Sequence, residues 1–205
     1  EREEAELTAF LDSDEGIGHA WEFGSFNGPS HRKRWGVETD LKARAFKPPR
    51  WPMPSIFAPI VERMRAVVAS TAPSGQMAKL SMMEFRPNEA NAIDYRRDEG
   101  HYLKAHCDDR QLSGGTLVNL CLCGDAIMTY TEDVASCKRK RGGVGRGDTD
   151  RTPEVIQVEL PRRSLQVQSR RVRYDFQHGI PPAGLLSSRR VSITFRQNAF
   201  LGHNV

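Results

Sequence analysis

Long apolar runs are missing from this chain. No stretch of its 205 residues approaches the ~18–20 apolar residues that cross a bilayer as a helix, so no membrane partner is expected. Cysteine is scarce. Cys107, Cys121, Cys123 and Cys137 are too few to staple a chain of this size, and a reducing compartment, nuclear or cytoplasmic, is expected. The start has no signal-peptide texture. The chain opens on Glu1 rather than Met, which leaves organellar targeting by a preceding segment open. No internal repeat is visible. Neither charge sign dominates: 30 Lys and Arg stand against 26 Asp and Glu, for a net charge of +4 and a pI near 9.0. A polyanionic partner is compatible with that balance but not required by it. What is present is ordinary for a soluble globular chain, 38% hydrophobic and 27% charged, and one domain, monomeric, is the expectation.

Texture changes along the chain. Residues 1–11 read as a short acidic amphipathic helix, and 15–47 as irregular loops and short strands rich in Gly and aromatics. Pro48, Pro49, Pro52 and Pro54 then interrupt regular structure. Over 55–70, Ile56, Ile60, Met64 and Val67/Val68 recur at helical spacing. From residue 78 onward, short β-branched and apolar runs alternate with turn residues: 79–85, 91–95, 102–106, 116–123, 126–130, 155–160, 164–168, 173–177 and 190–195. Many short strands at this spacing predict a mainly β (α+β) fold, a jelly-roll core with flanking N-terminal helices. The expected division is an N-terminal extension and helix at 1–77 packing on a core at 78–200. A Gly-rich basic insertion at 136–153 interrupts that core as a long exposed loop.

Three constellations bear chemistry. In His106-Cys107-Asp108, the histidine and aspartate lie two residues apart, so a strand turns both to one side. One imidazole beside one carboxylate suits a divalent transition metal, although such triplets also arise by chance. His178 follows 72 residues later with several strands between. Brought across a barrel, it completes two histidines and a carboxylate, the facial set of non-haem Fe(II) oxygenases. In Arg190-Val-Ser-Ile-Thr-Phe-Arg196 the even spacing puts both guanidinium groups on one strand face with Ser192 and Thr194, and Val191, Ile193 and Phe195 on the other. Two inward cations are costly without an anion between them. A dicarboxylate is the natural candidate, since Arg reads carboxylates with two parallel hydrogen bonds. An exposed edge strand is the alternative.

Together these motifs resemble the AlkB family of Fe(II)/2-oxoglutarate dioxygenases, whose pattern is H-x-D, a distal His and then R-x5-R. The chain carries it in order as His106, Asp108, His178, Arg190 and Arg196. Asn91-Ala-Ile-Asp-Tyr95 precedes it as the family's asparagine/tyrosine strand does. Ile93 stands where that strand has its Asn, and Asn91, two residues earlier on the same face, is the expected substitute. The likeness covers about residues 20–200. It implies that His106, Asp108 and His178 hold Fe(II). It also implies that Arg190, with Tyr95 and Asn91, takes the distal carboxylate of 2-oxoglutarate, and that Arg196 lies nearer the metal-bound end. With O2, that chemistry oxidises an N-methyl carbon, which leaves as formaldehyde. Asp109 after Asp108, and the insertion near residue 140, look most like the family's protein-demethylating branch.

The rest of the sequence bears on the substrate. Residues 138–151 hold six cations against Asp148 and Asp150, an excess equal to the +4 of the whole chain. Lys138, Arg139, Lys140, Arg141 and Arg146 lie there among glycines, the texture of segments that bind nucleic acid without reading its sequence; a flexible solvated insertion is the alternative. His31-Arg-Lys-Arg-Trp35 has the composition of a stacking and phosphate-binding surface, with solvated surface charge as the default reading. His19, His31, His101 and His203 have no partner pattern and read as surface residues, and Cys121 and Cys123 as small core residues. Methylated nucleic acid is the leading partner. Methyl-lysine on a protein is the alternative substrate, and a catalytically silent nucleic-acid-binding jelly roll the alternative of another class.

Overall fold

The structure is a computed structural model that describes residues 1–71, 82–134 and 152–198. Helix α1 (Arg2–Asp12) and strands β1 (Glu22–Gly24), β2 (Ser30–Gly36), β3 (Glu38–Asp40) and β4 (Ala45–Lys47) lead to helix α2 (Phe57–Thr71). Strands β5 (Glu89–Arg96), β6 (Leu103–His106), β7 (Ser113–Cys123) and β8 (Ala126–Glu132) follow. After them come β9 (Val155–Leu160), β10 (Ser164–Ser169), a short helix α3 (Arg170–Asp175), β11 (Phe176–Ile180) and β12 (Arg189–Asn198).

Two antiparallel sheets form the jelly roll. The larger runs β1-β2-β5-β12-β7-β10 and the smaller β6-β11-β8-β9, while β3 and β4 pair as a separate ribbon. Alternation along β12 explains the layering. Val191, Ile193 and Phe195 are fully buried and pack against Trp35, Phe57, Leu11 and Met64, in the core between the large sheet and the two N-terminal helices. Arg190, Ser192, Thr194 and Arg196, the intervening residues, turn to the space between the sheets. A second core of Tyr95, Met128, Tyr130, Phe176 and Ile180 closes the far part of that space.

The segment read as an N-terminal extension contributes two strands to the large sheet, β2 pairing with β5 from His31↔Asp94 to Gly36↔Glu89. Several expectations are corrected. Residues 82–85, placed in a strand, form a helical turn and coil, because Phe85 and Met82 are drawn into the helix-side core. Of 173–177, only Phe176 and Gln177 are strand; Arg170, at φ 56, breaks β10, and α3 carries the chain across to the smaller sheet. Trp35 and Lys33 do not form a surface platform. Trp35 is fully buried, and the Lys33 ammonium donates to the carbonyls of Ser13 (2.7 Å) and Gly18 (3.0 Å) over the Trp21 ring. His19 and His101 are interior rather than surface residues, His19 stacked on Trp51. The basic residues Lys138, Arg139, Lys140, Arg141 and Arg146 lie outside the described residues, as do Cys137 and His203.

Candidate metal and diacid site

Strands β6 and β11 meet at His106↔His178. Gly179 allows the approach, since a Cβ there would stand 2.9 Å from the backbone of both Leu103 and Ala105. The two rings lie 4.5 Å apart between centroids, and His106 Nε2 is 3.3 Å from Asp108 Oδ1. One donor atom from each of His106, Asp108 and His178 falls within 4.8 Å of the others.

Hydrogen bonding fixes what these atoms offer. His106 Nδ1 lies 2.8 Å from the Lys104 carbonyl, which can only accept, so Nδ1 carries the proton. In the neutral ring, Nε2 then points a lone pair at a carboxylate, an arrangement that asks for a cation between them. Burial pushes His178 down to about 4, outweighing the pull of Asp108, so its imidazole is neutral, as a metal ligand must be. Burial alone would raise the Asp108 carboxyl. The positive charge of Arg196 outweighs that and holds it well below the usual carboxylate range.

A second donor set, His31, Glu99 and His101, is equally compact. It differs in one bond. The Arg96 backbone N–H donates to His101 Nδ1 at 3.0 Å, so His101 Nε2 carries the proton and donates to Glu99 at 3.3 Å. That set is satisfied without a metal.

Behind the triad the large sheet presents its inward residues in rows. Glu89, Arg196, Leu117 and Gln168 are level across β5, β12, β7 and β10. The next row is Asn91, Thr194, Asn119 and Gln166, then Ile93, Ser192, Cys121 and Ser164, and Tyr95 pairs with Arg190 at the deep end. Two adjoining hollows result, with Ile93, Tyr95, Leu103, His106, Asp108 and Arg196 lining both. An inner one of about 60 Å³ holds His106, Asp108, His178, Tyr95, Arg190 and Arg196 on its walls, with Asn119, Gln166 and Gln168. An outer one of about 160 Å³ opens past Phe26, Thr39, Leu41, Arg34 and Asp109. Only a small ligand fits the inner hollow, and a bulky substrate is confined to the outer.

The two arginines differ in electrostatic surroundings. Arg196 sits between Asp108 (3.0 Å) and Glu89 (3.4 Å), so its charge is compensated, and these carboxylates raise its pKa against the effect of burial. Arg190 is 2% exposed. Its guanidinium donates to Ser192 Oγ (3.0 Å), Asn119 Oδ1 (3.4 Å) and Cys121 Sγ (3.2 Å), all neutral, and its Nε is buried with no hydrogen-bond partner. Among the described residues no carboxylate pairs with it. The Tyr95 ring lies 5.9 Å from the guanidinium carbon, and burial pushes its phenol up to about 12, so it remains a neutral donor. The inner hollow therefore joins a three-donor metal set to a cation that lacks an anion.

Among solved structures, the chain is similar to that of OsALKBH1, with a TM-score of 0.59 and 16% identity over 95% of this chain and 91% of that one. It is also similar to a Pseudomonas putida prolyl-4-hydroxylase, with a TM-score of 0.50 and 13% identity over 96% of this chain and 86% of that one. The shared feature is the jelly-roll fold. No family model and no curated protein matches the chain at a significant level.

Of the residues singled out in the sequence, the fold brings His106, Asp108, His178, Arg190, Arg196 and Tyr95 to one hollow. Asn91 faces the outer hollow, where its Oδ1 accepts from Arg34 at 2.9 Å and its amide donates to Glu89. Sequence reasoning passed over Asn119, Gln166 and Gln168, and also Glu89 and Arg173. Arg173 is 2% exposed and donates to the carbonyls of Asp108 and Asp109, bracing the loop that presents the metal-facing carboxylate. The available signal for the amides was Gln166-Val-Gln168, polar residues at even spacing on a strand.

Proposed function

We propose that the chain is an Fe(II)- and 2-oxoglutarate-dependent oxygenase that removes N-methyl groups from nucleic acid. The observation that carries the first part is the single hollow shared by the His106–Asp108–His178 donor set and the uncompensated Arg190. The donor set fits the metal: two imidazoles, that of His178 neutral, and one ionised carboxylate are the ligand types that suit it. The hollow fits a small diacid, since Arg190 supplies an unused N–H and a full charge at its deep end. The bound iron would supply the oxidising chemistry, consuming O2 and 2-oxoglutarate and hydroxylating an N-methyl carbon whose product releases formaldehyde.

The protein's own residues have separate tasks in this reading. Arg190 and Tyr95 hold the distal carboxylate. Arg196 keeps Asp108 ionised and aimed, while Glu89 keeps Arg196 in place. The apolar walls of Leu117, Met128 and Ile180 keep the inner hollow dry.

The substrate class rests on the outer hollow and on the sequence. Phe26, 64% exposed, and Arg34 both line it, an aromatic surface and a cation at one hollow, and Phe23 on the same hairpin is 65% exposed. The basic Gly-rich stretch holding Lys138, Arg139, Lys140, Arg141 and Arg146 adds a source of phosphate contacts. One observation favours methyl-lysine instead: Glu89, Asp108 and Asp109 all line the outer hollow and suit a cationic group. The test is formaldehyde and succinate release, with Fe(II) and 2-oxoglutarate, across methylated DNA, RNA and peptides. Release from nucleic acid supports the reading. Release from peptides alone moves the substrate to protein, and no release from any of them overturns it.

A further inference from the structure

We propose that Gln168, backed by Gln166, is a binding residue for the 2-oxo acid end of the cosubstrate, an inference that rests on reading the inner hollow as a diacid site. Gln168 is 6% exposed and lines that hollow together with His178 and Arg196. Its Oε1 is buried without a hydrogen-bond partner, and its Nε2 donates to Gln166 Oε1 at 3.1 Å. A buried carboxamide oxygen left unpaired is uncommon, because its desolvation goes uncompensated. It marks a position where the fold has prepared a polar group for something it does not itself contain.

Register says which end of a diacid this group meets. Gln168 is level with Leu117, and Leu117 with Arg196, whose guanidinium holds Asp108. Arg190 lies six residues from Arg196 along β12, at the deep end. Gln168 therefore stands at the metal end of the hollow and not beside the distal carboxylate. A carboxamide presents either its oxygen or its NH2 after half a turn about its last bond. Turning both amides reverses the Gln166–Gln168 hydrogen bond: Gln166 Nε2 then donates to Gln168 Oε1, and the Gln168 NH2 faces the hollow. Gln166 can turn with it: its NH2 now meets Met128 Sδ at 3.6 Å and the Tyr130 hydroxyl, and after the turn its Oε1 accepts from that hydroxyl. In that state Gln168 donates to the carboxylate next to the keto group, and every polar atom of the pair has a partner.

Succinate separates this role from a structural one. It keeps a distal carboxylate for Arg190 but lacks the 2-oxo acid unit. The measurement is calorimetric binding of 2-oxoglutarate and of succinate to the Mn(II)-loaded protein without O2, for wild type, Gln168→Leu and Gln168→Glu. Losing one hydrogen bond from a neutral donor to a carboxylate should weaken 2-oxoglutarate about 10- to 100-fold in Gln168→Leu. Gln168→Glu should lose more, because it sets a carboxylate against a carboxylate. Succinate affinity should stay at the wild-type value in Gln168→Leu. Thermal unfolding of each variant reports whether it has folded. Should Gln168→Leu not fold, Gln166→Met, which removes only the backing amide, should show a smaller loss in the same direction.

Equal loss of both ligands would put Gln168 at the distal end and overturn the assignment, as would unchanged 2-oxoglutarate affinity. Wild-type protein that binds neither diacid would remove the diacid site itself, a failure distinct from that of Gln168.

Discussion

Replacing Arg190 with Met should separate the need of the fold from the need of the ligand. In most proteins, removing a buried arginine breaks an ion pair and costs about 3–5 kcal/mol, because a charge is stranded. Here no described carboxylate would be stranded. Among the described residues the guanidinium donates only to Ser192, Asn119 and Cys121, and Met fills most of the same volume. The loss of three hydrogen bonds to neutral acceptors is offset by no longer burying a charge. Ligand-free stability should therefore stay within about 1–2 kcal/mol of wild type.

Binding should respond differently. A desolvated charge pair with a carboxylate is worth about 2–5 kcal/mol on truncation, or roughly 30- to several-thousand-fold in Kd. Thermal unfolding with Mn(II) and 2-oxoglutarate shows both effects together. At about 100 times Kd a ligand stabilises by ~2.7 kcal/mol, and ~2–4 °C per kcal/mol for a chain of this length gives an upward shift of about 5–11 °C in wild type. Arg190→Met should unfold near the wild-type temperature without ligand and show little or no shift with it. A variant that keeps the full shift would refute the assignment of the distal carboxylate to Arg190. A ligand-free variant destabilised by several kcal/mol would refute the claim that this cation lacks an internal partner.

Other outcomes follow from the same geometry. His106→Ala, Asp108→Ala and His178→Ala should each lose stoichiometric Mn(II) or Zn(II) in metal analysis while keeping a cooperative unfolding transition. Gly179→Val should lose metal as well, although residue 179 supplies no donor atom, because its side chain meets the backbone of Leu103 and Ala105 and drives β6 from β11; retained metal would show that the pairing tolerates the shift. Burial lowers the pKa of His19, so the unfolded chain takes up its proton first. Stability should fall as pH drops below ~6.5, and His19→Gln should flatten that slope in denaturant titrations of metal-free protein. Lys33→Met should destabilise by about 1–3 kcal/mol and leave polyanion binding unchanged, since the ammonium is spent on two carbonyls inside the fold. Changing Lys138, Arg139, Lys140 and Arg141 to Ser should make the slope of log K against log salt shallower by about one to two units on single-stranded nucleic acid. An unchanged slope would shift the phosphate contacts to the mouth near Arg34.

What the sequence made legible, and what it hid, divides along physical lines. The faces of β12 were readable because strand periodicity is rigid: even-numbered residues share a side wherever the strand sits. The pairing of His106 with His178 was readable only as a requirement of the chemistry. The register that achieves it depends on Gly179 and on a bulge between His178 and Ile180, and local sequence encodes neither pairing partner. The run His31–Trp35 misled because alternation was not applied to it. Lys33 and Trp35 share the inward face of β2, where a lysine is unexpected until the carbonyls of Ser13 and Gly18 are placed beside it.

Neutral amides were the least visible of all. A charged residue at an inward position signals a partner, because burying it alone is prohibitive, and that is how Arg190 stood out. Asn119, Gln166 and Gln168 carry no such signal, since an amide on a strand is equally at home facing water. Only the fold shows that these three turn inward onto the hollow that holds the metal donors and the arginine that lacks an anion. The polar lining of the inner hollow is thus more than the charged motif. A search for similar sites by H-x-D, H and R-x5-R alone would find the metal and the cation. It would miss the amides of β7 and β10 that face them, and those amides are where two sites with the same charged motif are free to differ in the acid they hold.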